Sequence, residues 1–429
     1  MTDLLDLAVD RAVQSYVDAH PISRQLAARA AVVLPGGNTR SVLHIDPFAF
    51  RVADATGARL RDVDGHTYVD LLGDFSAGLL GRNPSVAAVV REVLERGWSY
   101  GAMTEAETLF AEAVAARFPS IEQVRFTNSG SEANVMALMT ARHVTGRPRV
   151  VVFDGAYHGG PLYFGPGGEA LRVPLEYAIV PYNDVATLEA ELTGNGGRVA
   201  AVLVEPMLGA GGCIPGRRDF LVAVRELTTQ AGALLIFDEV MTSRLSLGGA
   251  QELLAITADL TTLGKYLAGG FSFGAFGGRR DVMAAFEPAG GGLTHGGTFN
   301  NNAFTMAVGA AVAGLVDAGS LATLNERGEQ LRRRLNERFA RRAAAFTATG
   351  WGSLLSIHPV RGAIESPADL ARADPRWRQL LFHELLAHGY YTAPRGYLAL
   401  TMDVSDDDLD GFLVAVDDVL DRYAELACS

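Results

Sequence analysis

The chain has 429 residues, of which 48% are hydrophobic, and its net charge at pH 7 is −12. An acidic chain without a basic run is a poor partner for nucleic acid, and no apolar stretch reaches the roughly 20 residues that cross a bilayer. Two cysteines, Cys213 and Cys428, are too few for a disulfide framework or a cysteine-based metal site, and no signal peptide is recognisable. We therefore expect a cytoplasmic protein of two or three structural units that uses no metal.

In chain order, the first 35 residues carry a helical apolar stripe and predict two helices. Residues 48–70 alternate and contain turn signals, which indicates short antiparallel strands. Thr104 and Glu107 predict a capping box that opens a helix running toward Phe118.

Strands and helices then alternate, which is typical of an α/β fold. Short apolar runs predict buried strands at residues 124–127, 150–153, 178–180, 200–204 and 233–237. After a buried apolar helix at 303–316, the last hundred residues predict long helices, a strand near 353–358 and a capped helix after Ser405. We predict a large domain at 61–320, and a small α+β domain built from segment 1–60 and the C-terminal part 321–429.

One basic residue differs from all the others: Lys265 is the only lysine, so the other 36 of the 37 basic residues are arginines. Arginine can replace lysine wherever only positive charge is needed. A Schiff base, however, needs a primary amine that can lose its proton, and guanidinium cannot supply one. The alternative is a leftover surface lysine.

Polar residues follow several predicted strands at their carboxyl ends, where open α/β sheets bind ligands. Ser129, Gly130 and Ser131 join a strand to a helix and predict a phosphate cradle, although a simple helix cap is the alternative. Tyr157 and His158 follow the next strand, where the tyrosine ring could stack on a planar ligand. The alternative is a core tyrosine beside a satisfied histidine.

Asp238 ends a buried strand, and a buried carboxylate needs a cationic partner. A protonated pyridine nitrogen would serve, as would a structural arginine. Lys265 ends another strand. Phosphate cradle, ring, carboxylate and amine together are what pyridoxal 5'-phosphate requires. We therefore expect this cofactor in Schiff-base linkage to Lys265, with Asp238 keeping the ring nitrogen protonated.

Motifs along almost the whole chain resemble those of the class III pyridoxal-phosphate aminotransferases of fold type I, in the branch that contains glutamate-1-semialdehyde aminomutase. The motifs span residues 127–134, 157–159, 204–206, 237–240, 263–265 and 297–300. The resemblance implies a mostly parallel seven-stranded sheet between helices, and His158 and Glu205 at the cofactor. It also implies that Tyr157 and Val240 cover the two ring faces, and that Thr298 reaches the phosphate of a neighbouring subunit in a homodimer.

Two arginines in turns are candidates for binding substrate carboxylates, because the planar guanidinium binds them bidentately. The segments around Arg40 and Arg395 are most similar to those of β-phenylalanine aminotransferases, which implies that Arg40 binds the β-amino acid and Arg395 the α-carboxylate of 2-oxoglutarate. Phe75 could face an aromatic substrate, or simply pack in the core. Many relatives carry a glutamate where this chain has Ala210, so that partner for a mobile Arg395 is absent.

The favoured hypothesis is a transaminase that moves an amino group from a β-amino acid to 2-oxoglutarate or pyruvate in a ping-pong cycle. An alternative is glutamate-1-semialdehyde 2,1-aminomutase, which needs no external acceptor. A non-catalytic binding protein with the same fold is a third reading, but it would not need the single lysine.

Overall fold

The computed structural model describes residues 4–427. Its helices are α1 (Leu4–Ala19), α2 (Pro21–Ala31), α3 (Pro84–Arg96), α4 (Glu105–Arg117), α5 (Gly130–Thr145), α6 (Val185–Asn195), α7 (Arg218–Ala231), α8 (Ala250–Leu254), α9 (Arg280–Met283), α10 (Ala303–Leu315), α11 (Ala318–Arg341), α12 (Pro375–Ala387), α13 (Asp406–Arg422) and α14 (Ala424–Ala427). Its strands are β1 (Val52–Thr56), β2 (Arg59–Asp62), β3 (Thr67–Asp70), β4 (Gln123–Thr127), β5 (Arg149–Phe153), β6 (Glu176–Val180), β7 (Val199–Val204), β8 (Met207–Leu208), β9 (Ile214–Pro215), β10 (Leu234–Asp238), β11 (Leu260–Gly264), β12 (Gly274–Gly278), β13 (Thr347–Trp351), β14 (Leu354–His358), β15 (Tyr390–Tyr391) and β16 (Tyr397–Ala399).

A seven-stranded sheet in the order β4-β12-β11-β10-β7-β5-β6 forms the centre of the molecule. Only β12 is antiparallel to its neighbours, so the other six strands run in one direction. Every residue of β7 and β10 is buried. Since successive side chains of a strand point to opposite faces, helices must cover both faces of the sheet. This confirms the predicted α/β fold with a mostly parallel sheet.

The direction of these strands places their carboxyl ends at one edge of the sheet. β4 ends there at Thr127, β10 at Asp238 and β11 at Gly264, directly before Lys265. Residues that are far apart in sequence therefore meet at this edge, which is where a doubly wound sheet holds its ligand.

The two ends of the chain form a smaller unit together. Helix α1 packs against α12, and β15 adds in parallel to the sheet β1-β2-β3, with Tyr390 opposite Val69. The predicted boundary after residue 60 falls inside β2, so the N-terminal share of this sheet continues to Asp70. The boundary after residue 320 falls in the first turn of α11.

The capping box predicted for Thr104 and Glu107 is wrong, although helix α4 does begin after Thr104. The Thr104 side chain makes no cap hydrogen bond. Glu107 instead accepts a hydrogen bond from Asn301 Nδ2 at 3.1 Å, so its carboxylate is drawn away from the helix start. The predicted cap at Ser405 is confirmed, with a complete capping box at the start of α13.

Within residues 4–427 no single helix is long and apolar enough to cross a membrane, although α10 and α11, bent by 81°, pass that test of length and composition as a pair. Cys213 is buried and unpaired, and Cys428 lies outside the described residues.

Candidate active site

Lys265 follows β11 directly and lies half-buried at the carboxyl edge of the sheet. Its backbone has a φ of +58°, a left-handed conformation that non-glycine residues seldom adopt. Nζ donates a hydrogen bond of 2.5 Å to the backbone carbonyl of Phe75. Burial lowers the pKa of this amine to about 8, with smaller effects from nearby charges. The neutral, nucleophilic amine is therefore available near physiological pH, and the leftover-surface reading of Lys265 is wrong.

Asp238 is buried at the end of β10, and three donors fix its carboxylate. Oδ2 accepts from His158 Nδ1 at 2.7 Å and from Asn134 Nδ2 at 2.8 Å, and Oδ1 accepts from the backbone N–H of Val240 at 2.9 Å. No arginine among the described residues pairs with it, so the structural-arginine alternative is wrong. Nε2 of His158 is buried without a hydrogen-bond partner in the described chain, which leaves the alternative of a fully satisfied histidine unsupported.

The N-terminus of α5 lies beside this carboxylate and is closely packed. A Cβ added to Gly130 would lie 2.7 Å from Cγ2 of Val240, so only glycine fits. Ser129 is the N-cap, and its hydroxyl accepts from the backbone N–H of Glu132 at 3.2 Å. Other backbone N–H groups of this first turn, including those of Gly130 and Ser131, have no partner within the helix and can bind an anion. Capping by Ser129 is thus compatible with a phosphate cradle.

Glu205 holds the backbone of Tyr157. Its Oε1 accepts from the Tyr157 N–H at 2.9 Å, and Oε2 accepts from the Gly209 N–H at 2.9 Å. Burial is the main reason that the pKa of Glu205 is raised to about 7. The Tyr157 side chain is 45% exposed and meets Tyr163 edge-on, so the alternative of a core tyrosine is wrong and its ring is open to a ligand.

A left-handed turn brings Phe75 to the lysine. Gly73, Asp74, Phe75 and Ser76 have consecutive φ values of 51°, 44°, 53° and 74°. The Phe75 ring is only 8% exposed and stacks on Tyr397, with ring centroids 6.1 Å apart and planes at 4°. Core packing of Phe75 is therefore observed, while its contact with a substrate stays a prediction.

The two predicted arginines both lie near the Phe75 ring. The Arg40 guanidinium lies 5.4 Å from the ring centroid and that of Arg395 lies 5.5 Å from it. Arg40 is ion-paired with Asp74 at 2.8 Å, and both side chains are about half exposed. Within residues 4–427, Arg395 has aromatic contacts with Phe75 and Tyr397 but no ion pair or hydrogen bond.

Thr298 lies on an exposed loop, next to Phe299, which is 65% exposed. Asn300 anchors this loop by accepting a hydrogen bond of 3.0 Å from Asn128 Nδ2, one residue before Ser129. The Thr298 side chain is therefore open to solvent in the single chain, and its contact across a dimer interface stays a prediction.

Sequence reasoning missed three contributors. Asn134 lies within the motif at residues 127–134, one turn inside α5, and this position could have indicated its contact with Asp238. The other two contributors are Asp74, which pairs with Arg40, and Tyr397, which stacks on Phe75. Each contact joins segments more than 30 residues apart in sequence, so no local sequence pattern predicts it.

This set of groups fits a phosphorylated, planar aldehyde with a basic ring nitrogen. The amine of Lys265 can bind the aldehyde, the N-terminus of α5 the phosphate, and the buried Asp238 the protonated nitrogen. Fold and site together define a pyridoxal-phosphate-dependent transferase of fold type I.

Comparison with known proteins identifies the family. The chain matches the family described as aminotransferase class-III over residues 43–163 and 169–420. It is 47% identical to the beta-phenylalanine transaminase of Variovorax paradoxus over 98% of each chain. It is 35% identical to a glutamate-1-semialdehyde 2,1-aminomutase of Methanothermobacter thermautotrophicus, over 93% of this chain and 98% of that one.

A solved structure supports the same family assignment. The crystal structure of a beta-phenylalanine aminotransferase from Variovorax paradoxus superposes with a TM-score of 0.96, at 47% identity over 98% of this chain and 99% of that one. The chain belongs to the class III aminotransferase family. This confirms the expectations of fold type I, of an aminotransferase that uses pyridoxal phosphate, and of an amino donor and a keto acid as its substrates.

Proposed function

We propose that this aminotransferase takes the amino group from an aromatic β-amino acid such as β-phenylalanine and transfers it to 2-oxoglutarate or pyruvate. The observation that carries the proposal is that the guanidinium groups of Arg40 and Arg395 both lie near the Phe75 ring. The backbone carbonyl of the same residue accepts the hydrogen bond of Lys265. Two carboxylate-binding groups and an apolar surface are what an aromatic donor and a dicarboxylic acceptor need. The 47% identity to a beta-phenylalanine transaminase supports the same choice.

The cofactor, when bound, supplies the electron sink that stabilises negative charge on the substrate carbon. Lys265 would hold it covalently and, once released, its Nζ would move a proton to and from the carbon that bears the amino group. The lowered pKa of the amine suits a base that works near neutral pH. Asp238, held by His158 and Asn134, would keep the ring nitrogen protonated.

The remaining predicted residues would orient the cofactor. Gly130 and Ser131 would donate backbone N–H groups to the phosphate, with the Ser129 hydroxyl alongside. Tyr157 and Val240 would cover the two faces of the ring. Glu205 would act by holding the Tyr157 backbone in place.

Arg40 and Arg395 would divide the substrate carboxylates between them. Arg40 would bind the carboxylate of the β-amino acid, exchanging part of its contact with Asp74. Arg395 would bind the α-carboxylate of 2-oxoglutarate, and the absence of an ion pair on its guanidinium within the described chain supports this role. With Ala210 in place of a glutamate, aromatic contacts alone would hold Arg395 in its resting position.

We also propose a cytoplasmic homodimer whose active sites are completed across the interface. The exposure of Thr298 and Phe299, and of Met103 at 87%, supports a partner surface in this region. A mixture of Lys265→Ala and Thr298→Ala subunits tests the sharing, because a mixed dimer would regain one intact site and hence activity that neither variant has alone.

The test of function follows the visible absorbance of the holoenzyme on addition of β-phenylalanine, and then of 2-oxoglutarate, together with a glutamate assay. Loss of the band with donor, its return with acceptor and formation of glutamate are expected. Lys265→Arg is the matched control, since it keeps the charge but cannot form the Schiff base, and it should fold and be inactive.

An unchanged band with β-phenylalanine would refute the donor assignment. If glutamate-1-semialdehyde were instead converted without any acceptor, the aminomutase alternative would replace it, and turnover by Lys265→Arg would refute the role of the lysine.

A further inference from the structure

A cluster of three side chains lies in the small unit, outside the groups that contact Lys265 and Asp238. His20 lies between α1 and α2, while Asp62 and His66 border the tight turn that joins β2 and β3. The aminotransferase site uses none of them. Their possible ligand atoms all lie within 4.8 Å of one another.

The distances in this cluster are close to those of a metal site. His20 Nε2 lies 3.3 Å and His66 Nδ1 lies 3.0 Å from the same oxygen, Oδ2 of Asp62. A tetrahedral zinc ion with ligands at about 2.0–2.1 Å has ligand atoms roughly 3.3–3.4 Å apart. Small side-chain movements would therefore place all three atoms on one ion.

Two of the three ligands, His20 and Asp62, are also held from behind, as metal ligands are. The Nδ1–H of His20 donates to the Tyr16 carbonyl at 2.7 Å, so Nε2 carries the lone pair and faces the cluster, where the Tyr68 hydroxyl lies 2.8 Å from it. Oδ1 of Asp62 accepts the backbone N–H of His66 at 2.8 Å. The Tyr68 hydroxyl lies 2.8 Å from both Oδ2 of Asp62 and Nε2 of His20. A bound ion would replace its contact with Nε2, and the hydroxyl would keep its single proton on Oδ2.

The turn is fixed to helix α2, so the cluster is pre-formed. Asp64 accepts the backbone N–H groups of Ile22 and Ser23, at 2.6 and 3.0 Å, at the first turn of that helix. This contact sets the position of His20, which immediately precedes α2, relative to Asp62. Two segments more than 40 residues apart thus converge without the help of an ion.

Solvent can reach the cluster. A cavity of about 610 Å³ is lined by His20, His66 and Tyr68, and the His66 side chain is 40% exposed while Asp62 is buried. A water molecule from the cavity could complete a four-coordinate site. His66 can shift its proton to the exposed Nε2 and so present Nδ1 to an ion.

We propose that His20, Asp62 and His66 bind one divalent transition-metal ion, with Zn²⁺ as the best match to two imidazoles and one carboxylate. The site ties the N-terminal helices to the β2–β3 hairpin, so bound metal stabilises the small unit. The sequence prediction of no metal rested on the cysteine count, which could not reveal a site built from histidine and aspartate.

The experiment titrates tag-free holoenzyme, stripped with chelator, with Co²⁺ and Zn²⁺. Co²⁺ binding is followed by its visible d–d absorption, Zn²⁺ stoichiometry by equilibrium dialysis, and stability by the thermal midpoint. The test variants are His20→Asn and His66→Asn. The matched control is His44→Asn. His44 pairs with Asp46 at 3.1 Å on the surface, and among the described residues no third metal-binding side chain lies close enough to complete a site there.

We expect one metal ion per chain, a raised thermal midpoint with Zn²⁺, and at least tenfold weaker binding in both test variants but not in His44→Asn. The His66 side chain is half-exposed, so its replacement should not disturb folding. Unchanged metal affinity in His66→Asn would therefore overturn the proposal. Failure of the wild-type holoenzyme to bind one equivalent would overturn it as well. Because the readouts are metal content and stability, they do not depend on the proposed substrate.

Discussion

The ion pair between Arg40 and Asp74 predicts that a carboxylate of the enzyme competes with the substrate. The two side chains are 2.8 Å apart, so a substrate carboxylate bound to Arg40 must lie within a few ångströms of Asp74. Two like charges about 4 Å apart repel by about 1 kcal/mol in water and more in a less polar setting. Because these side chains are about half exposed, we take about 1 kcal/mol for the penalty.

Asp74→Asn should therefore lower KM for the β-amino acid about fivefold at low ionic strength. Asparagine keeps an oxygen that can accept from Arg40, and it tolerates the φ of +44° at this position. The gain should shrink as salt is added, because exposed charges are screened. Asp46→Asn, which removes a surface carboxylate paired with His44, is the control and should leave KM unchanged.

Steady-state kinetics with the donor varied at saturating acceptor, at two salt concentrations, gives the answer. A KM that is unchanged or raised in Asp74→Asn would show that Asp74 orients Arg40 for the substrate rather than competing with it. A change that is insensitive to salt would refute the electrostatic argument.

Three further predictions follow from the site. The cofactor-free protein should react with pyridoxal phosphate at a rate that rises with pH, with a midpoint near pH 8. A pKa of about 8 in place of 10.5 gives Lys265 about 300-fold more neutral amine at pH 7. Stopped-flow absorbance measures the rate, and a midpoint above pH 10 would contradict the prediction. The pKa of Glu205 is raised to about 7, so between pH 4.5 and about 7 the folded state binds more protons at this residue than the unfolded state does. The free energy of unfolding should therefore fall by on the order of 3 kcal/mol as pH rises through this window. Chemical denaturation of wild type and Glu205→Gln at pH 5 and 8 should show a smaller pH dependence in the variant. Finally, Gly130→Ala should bind the cofactor at least tenfold more weakly in equilibrium dialysis while remaining folded by circular dichroism, because the added Cβ would displace Val240 and with it the start of α5.

Burial on both faces explains the strongest of the correct strand predictions. β5, β7 and β10 each contain a continuous apolar run of at least four residues, and burial of both faces is the cause of that pattern. β12 escapes the same reasoning because it reads Gly-Ala-Phe-Gly-Gly, a composition typical of turns. Its glycines are required by neighbouring backbone, since a Cβ on Gly274 would lie 2.1 Å from the Ser129 carbonyl oxygen.

The candidate site divides in a similar way. Lys265 and Asp238 could be predicted because each ends a buried strand, and the direction of the sheet brings strand ends together. The pair of Arg40 with Asp74 could not, because it depends on a turn of four left-handed residues, three of which are not glycine. Local propensity argues against such a turn, and only the surrounding tertiary contacts hold it.

Because Lys265 is the single lysine of the chain, proteolysis at this residue can measure local opening of the structure. An endoprotease that cleaves only after lysine would cut the cofactor-free protein once, into residues 1–265 and 266–429. Because that bond lies within the short helical turn directly after β11, cleavage requires this segment to open locally. The rate of a single cut would thus measure how often the centre of the molecule opens, with no label or added probe group on the protein.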